Sequence, residues 1–298
     1  MNKTRTTIIS AREDGFCIQF NAMASLCEII IETVESSLAK TIGKQVSDEV
    51  WRIEDKYSRY NPNSLCSKIN RSNNQPVAID DETFALLNFA DTCYQLSEGV
   101  FDITSGVLRK AWRFDCTDNV PSTATVSKIL KNVGWQKVKY DSLQVTLPAE
   151  MELDFGGIGK EYAVDRAILL IKTLTELPVL VNLGGDLATN SARKNNQPWQ
   201  VGVEHPGFEK RKNMVVSLFK GALATSGDAR RYLLKSGQRY SHILNAKTGW
   251  PIENAPRSVT VSAPQCIQAG ILATLSQMQG DNAEQFLVEQ GVKHWAIH

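Results

Sequence analysis

The sequence has no excess of charge of either sign. Its 298 residues contain 33 Lys and Arg against 32 Asp and Glu, so the net charge is +1 with the histidines neutral. Nucleic-acid-binding domains usually carry a clear basic excess, and a polybasic membrane anchor needs one as well. The balance argues against both kinds of partner, although a local basic cluster can still hold a small anionic ligand.

Long apolar runs are also absent. No stretch approaches the roughly 18 apolar residues of a transmembrane helix. Lys3 and Arg5 are similar to the charged start of a signal peptide, but the apolar segment at 7–10 is too short and three charged residues follow at 12–14. No lipobox-like cysteine lies near the start. We therefore expect no membrane span and a cytoplasmic protein.

Paired cysteines, repeats and low-complexity segments are missing too. Six scattered cysteines without a C-x-x-C pair indicate buried thiols rather than disulfides or metal ligands. They are Cys17, Cys27, Cys66, Cys93, Cys116 and Cys266. An apolar fraction of 42% and a charged fraction of 22% are ordinary for a globular chain with an adequate core.

The spacing of apolar residues predicts helices early in the chain and strands later. Apolar residues three and four apart from Val34 to Tyr57 predict a long amphipathic helix. Further helices are predicted at about 80–96, 125–133, 163–174, 265–278 and 282–290, and strands at 16–20, 27–31, 179–181, 199–203, 214–219 and 258–262. The order favours an α+β architecture with two lobes.

Two glycine-bearing segments could approach a ligand. In Asp154–Lys160, glycines directly before a helix let backbone N–H groups contact a phosphate, with Lys160 adding a charge. The spacing differs from a Walker A loop, and taken alone this segment is better explained as a structural turn. In Asn182–Asp186, a strand ends in two glycines and a carboxylate, which is typical of a ligand site or of a plain turn.

The densest polar cluster spans residues 225–232 and 240–251. It combines hydroxyls, a carboxylate, two arginines and His242 with glycine-bearing turns. Arginines can bind a pyrophosphate with two hydrogen bonds, and a histidine can act as a general base. A lone histidine is usually structural, so the density of polar groups is what favours a site here. A fourth segment, Gly99–Gly106, indicates little by itself.

Together and in this order, these segments resemble the ApbE family of FAD:protein FMN transferases. The resemblance extends from about Phe20 to Gly280 and has seven motifs in register. Its matching segments are Met23 (with Ala24 and Ser25 in place of Gly-Thr), 58–64 with Asn70, Asp102 and Thr104, Asp154–Lys160, Asn182–Asp186, Thr225–Asp228, and Ser241–Gly249. In the last segment, Asn245-Ala246 replaces the usual Asp-Pro.

The resemblance implies one ApbE-like domain over 1–298, helix-rich at about 16–175 and strand-rich at about 176–298. It implies mixed or antiparallel sheets flanked by helices, with FAD in a cleft between two lobes. It also implies that His242 is the base for a threonine hydroxyl of an acceptor flavoprotein subunit, which receives FMN while AMP leaves. The nucleotide-binding positions that it indicates are Met23, Tyr60, Asp102, Lys160, Asp186, Thr225, Ser226, Gly227, Asp228 and His242.

The implied Mg²⁺ site departs from the family pattern. The family takes the metal through a main-chain carbonyl, here that of Gly159, and through an Asp and a Thr on one C-terminal segment. Thr274 is present, but Gly270 stands at the Asp position, and the loss of a carboxylate should weaken a site for a hard cation. Glu161 replaces the usual Gly after the lysine, and whether it lends the missing charge stays open.

The sequence therefore predicts a Mg²⁺-dependent FMN transferase and leaves alternatives open. One is an FAD-binding protein that has lost catalysis, which is suggested by Gly270 at the position of the metal-binding Asp. Others are an FAD pyrophosphatase that uses water in place of a threonine, and a scaffold that merely keeps the fold. On the sequence alone, Gly270→Asp should raise metal affinity or activity.

Overall fold

A computed structural model describes residues 5–203, 214–228 and 231–298. Ala229 and Arg230, which belong to the densest polar cluster of the sequence, lie outside the described residues. The rest of that cluster, and every other predicted site residue, falls within them.

The fold centres on an eight-stranded sheet in which every neighbouring pair is antiparallel. Its order is β1-β2-β3-β7-β8-β11-β14-β15. These strands are β1 (Thr7–Arg12), β2 (Gly15–Ala22), β3 (Ser25–Ile31), β7 (Val179–Leu183), β8 (Asp186–Thr189), β11 (Gly221–Gly227), β14 (Ser258–Ala263) and β15 (Lys293–Ile297). Both halves of the chain therefore contribute to one sheet.

Three small sheets accompany the large one. They have the orders β4-β6-β5, β9-β10 and β12-β13. Their strands are β4 (Pro76–Ala78), β5 (Lys139–Tyr140), β6 (Gln144–Thr146), β9 (Trp199–Val203), β10 (Met214–Leu218), β12 (Tyr232–Lys235) and β13 (Gln238–Ser241).

The helices are α1 (Ser36–Tyr57), α2 (Leu65–Asn70), α3 (Asp81–Leu96), α4 (Thr123–Leu130), α5 (Gly159–Leu174), α6 (Cys266–Gln277) and α7 (Ala283–Glu289). The side chain of Asp80 caps α3 by accepting from the backbone N–H of Thr83 at 3.0 Å. A 3₁₀ segment, Ile103–Lys110, follows α3. No helix in these described ranges is long and apolar enough to cross a membrane.

The main core lies between the sheet and helices α1, α5 and α6. Ile42, Val46 and Val50 of α1 are fully buried in it, as the apolar spacing predicts. Strand β7 is apolar almost throughout because it is buried on both faces. Val179 and Val181 contact the main core, while Leu180 contacts a second cluster under the β9–β10 hairpin.

A third apolar cluster joins distant segments beside the main core. Val107 and Leu108 of the 3₁₀ segment pack with Val126 of α4, Leu233 of β12 and Ala246. The indole of Trp112 donates to the carbonyl of Gly249 at 2.8 Å. The segment after His242 is therefore fixed to the polypeptide around 104–112.

The predicted α+β class is confirmed. Strands β1, β8, β11 and β15 of the large sheet escaped prediction, and β1 and β15 lie at its two ends. Five of the six residues of β1 are exposed, so its sequence lacks the alternation that a half-buried strand shows. Strand β8 is four residues long and buried along its whole length, so it has no alternation either.

Candidate functional site

Two tight turns meet at one end of the large sheet. Met23 and Ala24 form the β2–β3 turn with φ of 51° and 59°, the left-handed geometry that suits a two-residue hairpin. Gly184 in the β7–β8 turn lies against Ser25, where an added Cβ would be 2.5 Å from the Ser25 Cβ. Strands β3 and β7 are paired, so the Asn182–Asp186 motif lies directly beside the Met23 motif, and the close approach leaves room only for a glycine at position 184.

Lys160 and Asp186 form the charged centre of this region. The Lys160 Nζ lies 2.6 Å from Asp186 Oδ2, and the Asp186 side chain is only 3% exposed. Asp186 Oδ1 also accepts from the backbone N–H of Thr225 at 3.2 Å. The structure thus joins three sequence motifs through one buried carboxylate, in agreement with a common site.

Strand β11 brings the next predicted residues to the same place. The Thr225 hydroxyl is 2.8 Å from that of Thr260 on β14. Ser226 Oγ lies 3.1 Å from Gln277 Oε1 and 3.3 Å from the Thr274 hydroxyl, both on α6. Gly227 has no space for a side chain, because an added Cβ would be 2.7 Å from the carbonyl oxygen of Arg257.

Asp228 directly follows strand β11 and forms two ion pairs. Its carboxylate accepts from Arg239 Nε at 2.6 Å and from Arg257 Nε at 3.1 Å, while Arg239 also bonds the Asp228 carbonyl at 2.7 Å. Neither arginine was among the predicted site residues. A cation stabilises a buried carboxylate, but the sequence around Asp228 does not indicate which arginines supply it.

His242 follows β13 and lies near this ion pair. Burial, and then the charge of Arg231, lower its pKa to about 4, against a smaller raising effect of Asp228. Its Nδ1 is buried and has no hydrogen-bond partner among the described residues. Phe114 contacts the imidazole edge to face at 6.3 Å between ring centroids. The ring is therefore neutral at physiological pH and can accept a proton.

Tyr60 is linked to the first glycine motif, Asp154–Lys160, through its neighbour Arg59. Tyr60 is 78% exposed. The guanidinium of Arg59 lies over the Tyr60 ring at 5.0 Å, donates to its hydroxyl at 2.9 Å and pairs with Asp154. An exposed ring held beside a glycine motif can stack on a planar ligand. Arg59 was present in the motif without a predicted role.

Asp102, which the resemblance assigned to nucleotide binding, is engaged inside the protein. Its Oδ1 accepts from both the N–H and the hydroxyl of Thr104 at 2.7 Å, and its Oδ2 accepts from the N–H of Trp135 at 2.8 Å. The residue is 5% exposed. Asp102 therefore holds its own turn, and the carbonyl of the adjacent Ile103 links this turn to the first glycine motif by accepting from the N–H of Asp154 at 2.8 Å.

The predicted metal position contains a carboxyl group from another helix. A Cβ added to Gly270 would lie 2.5 Å from Glu161 Cγ and 2.9 Å from Glu161 Oε1. Burial and the negative charge of Asp186 raise the pKa of Glu161, and its Oε2 is buried without a hydrogen-bond partner in the described ranges. The side chain of α5 thus fills the space that an aspartate on α6 would need.

This geometry corrects the expectation for Gly270→Asp. A side chain at 270 must displace Glu161, so the single substitution disrupts packing instead of completing a site. Gly159 begins α5 and Thr274 lies one turn beyond Gly270 on α6. Within 5–203, 214–228 and 231–298, no group of three or more His, Cys, Asp or Glu could hold a metal ion. Any cation here would therefore need carbonyl and hydroxyl oxygens as ligands in addition to a carboxylate.

A surface depression of about 670 Å³ lies elsewhere, beside α1. Arg5, Trp51 and Lys56 are among its lining residues, and none of the predicted site residues lines it. Its walls contain ion-paired side chains, such as Arg5 with Asp55. The region around Lys160, Asp186 and His242 therefore remains the candidate site.

Comparison with known proteins identifies the family. The chain is 28% identical over 250 residues to the FAD:protein FMN transferase of Vibrio cholerae, covering 82% of this chain and 75% of that protein. It is 29% identical over 277 residues to the enzyme of the same name from Chlamydia pneumoniae, covering 90% and 86%.

The fold matches solved structures over nearly its whole length. The ApbE protein of Thermotoga maritima superposes with a TM-score of 0.83 at 28% identity, covering 98% of this chain and 94% of that one. The flavinyl transferase ApbE of Pseudomonas stutzeri has the same fold, with a TM-score of 0.82 at 23% identity and coverage of 99% and 92%. The sequence model of the ApbE family matches residues 23–296. The chain belongs to the ApbE family.

Proposed function

We propose that this protein is an FAD:protein FMN transferase that moves FMN from FAD to a threonine hydroxyl of an acceptor protein and releases AMP. One observation carries the proposal: groups from separate motifs converge around Lys160 and Asp186, joined through Thr225. The relatives named FAD:protein FMN transferase support it. A cation, hydroxyls and backbone N–H groups next to glycine turns are suited to a pyrophosphate.

The transfer is a substitution at phosphorus. The threonine oxygen bonds the phosphorus of the FMN half, the pyrophosphate P–O bond breaks, and AMP leaves with the bonding electrons. His242 is the residue proposed to take the hydroxyl proton. Its lowered pKa, about 4, keeps the ring neutral throughout the physiological range, so its acceptor nitrogen is free of a proton, while its basicity is lower than that of an exposed histidine.

Mg²⁺ is proposed as the cofactor. The residues present fit it, because Thr274 provides a hydroxyl, Gly159 a carbonyl and Glu161 a buried carboxylate oxygen without a partner among the described residues. Such oxygen ligands, completed by water and phosphate, are those that Mg²⁺ prefers. When bound, the ion would act as a Lewis acid on the pyrophosphate.

The test combines three measurements on one reaction. The protein is incubated with FAD, MgCl₂ and a purified acceptor subunit that the Vibrio cholerae relative modifies. AMP release, protein-bound flavin fluorescence after denaturation and the mass of the acceptor are then measured. AMP and acceptor-bound FMN in equal amounts support the proposal.

Two other outcomes contradict it. AMP and free FMN formed without an acceptor indicate an FAD pyrophosphatase. FAD binding with no AMP release indicates a binding protein without catalysis. His242→Ala should abolish transfer, and FAD binding by this variant is measured alongside so that a loss of catalysis is separated from a loss of binding.

A further inference from the structure

The absent aspartate at position 270 and the unusual glutamate at position 161 occupy one place in space. A Cβ built on Gly270 would come within 2.5 Å of Glu161 Cγ and 3.0 Å of its Cδ. Only one of the two positions can therefore carry a side chain that fills this space. In the family pattern, position 270 is acidic and position 161 is Gly; here the two are exchanged.

One oxygen of the Glu161 carboxyl lacks a hydrogen-bond partner within the described residues. This oxygen, Oε2, is buried. The neighbouring Lys160 ammonium is engaged with Asp186 Oδ2 at 2.6 Å and with the Gly184 carbonyl at 3.4 Å. A buried carboxylate oxygen without a partner is costly, and a bound cation would compensate it.

Other oxygen donors lie on the same two helices. Thr274 is four residues after Gly270 on α6, so both positions lie on the same helix face. Gly159 is two residues before Glu161 in the first turn of α5. The Thr274 hydroxyl lies 3.3 Å from Ser226 Oγ, which places it beside the Thr225–Asp228 motif.

We propose that Glu161 supplies, from α5, the carboxylate ligand of a divalent-cation site that also uses the Thr274 hydroxyl and the Gly159 carbonyl. The inference rests on the proposed function, because phosphate oxygens of the nucleotide complete the coordination. The carboxylate donor has moved from one helix to the facing one, and Gly270 leaves the space that Glu161 needs.

The test measures cation binding directly. Mn²⁺, a spectroscopic substitute for Mg²⁺, is titrated into the protein with FAD present, and free Mn²⁺ is followed by electron paramagnetic resonance. Glu161→Gln keeps the shape and removes the charge, so Mn²⁺ affinity should fall about 10- to 100-fold or more. Glu176→Gln, at an exposed carboxylate just after the same helix, should leave it unchanged.

A restored family arrangement provides the second arm. Glu161→Gly alone should lose Mn²⁺ binding, and the double variant Glu161→Gly with Gly270→Asp should regain an affinity within a few fold of the parent. Circular dichroism confirms folding of each variant. Unchanged affinity in Glu161→Gln, or no recovery in a folded double variant, overturns the inference.

The same variants separate this inference from the transferase proposal. Metal-dependent FMN transfer that is insensitive to Glu161→Gln would sink the inference and leave the function standing. Glu161-dependent Mn²⁺ binding without any FMN transfer would support the cation site and sink the function.

Discussion

A stability measurement tests the contact between Gly270 and Glu161 without any ligand. Glycine within a helix costs about 1 kcal/mol relative to alanine, so Gly270→Ala in α6 would be stabilising if space were free. The added Cβ instead lies 2.5 Å from Glu161 Cγ. Since Cγ is close to the backbone, the whole Glu161 side chain must change rotamer, and such overpacking costs about 1–3 kcal/mol.

The two effects oppose each other, so a double-mutant cycle separates them. Gly270→Ala should lower the free energy of unfolding by about 0–2 kcal/mol in the parent and raise it by about 1 kcal/mol in Glu161→Ala, which lacks the obstructing atoms. The coupling between the two positions is therefore about 1–3 kcal/mol. Effects of Glu161→Ala on charge cancel in the cycle.

The assay is urea unfolding followed by tryptophan fluorescence, with chelator present so that no cation contributes. Gly202→Ala is the matched control, because nothing lies within 4 Å of an added Cβ there. It should not couple to Glu161→Ala. If Gly270→Ala were equally stabilising with and without the Glu161 side chain, the placement of Glu161 over Gly270 would be wrong.

Three further predictions concern other parts of the fold. Asp102→Ala leaves the buried N–H groups of Thr104 and Trp135 without their acceptor, so urea unfolding should show a loss of about 1–3 kcal/mol for each. Ala24→Gly should raise the unfolding free energy by about 0.5–1 kcal/mol, because Ala24 has a φ of 59°. For His242, the unfolded chain gains a proton below about pH 6.5, whereas the folded protein gains one only near pH 4. Stability should therefore fall as pH drops from 6.5 to 4, and His242→Asn should show a smaller fall in unfolding titrations across that range.

The sequence predicted the elements whose apolar spacing is regular. Helix α1 follows its period from Ile42 to Tyr57, and α6 follows a largely apolar segment. Strand β1 was missed because it lies at the sheet edge with its residues mostly exposed, so no alternation marks it. Edge strands owe their place to pairing with a neighbour, which a local pattern does not contain.

The site was predictable in its motifs and only partly in its contacts. Spacing indicated Lys160 and Asp186 separately, and the structure adds the 2.6 Å ion pair between them. The arginines that hold Asp228 lie 11 and 29 residues away along the chain. Many basic residues are equally distant, so nothing local distinguishes these two.

Glu161 shows where reasoning by position reaches its limit. Position by position, Gly270 is a lost metal ligand, and the inference from it is a weakened enzyme that Gly270→Asp would repair. In space, Gly270 is the gap that admits a carboxyl group from the facing helix. A cation requires oxygen atoms at suitable places and is indifferent to the segment that carries them. The same glycine therefore leads to opposite expectations for Gly270→Asp: repair if position 161 were empty, and a clash in the chain as it stands.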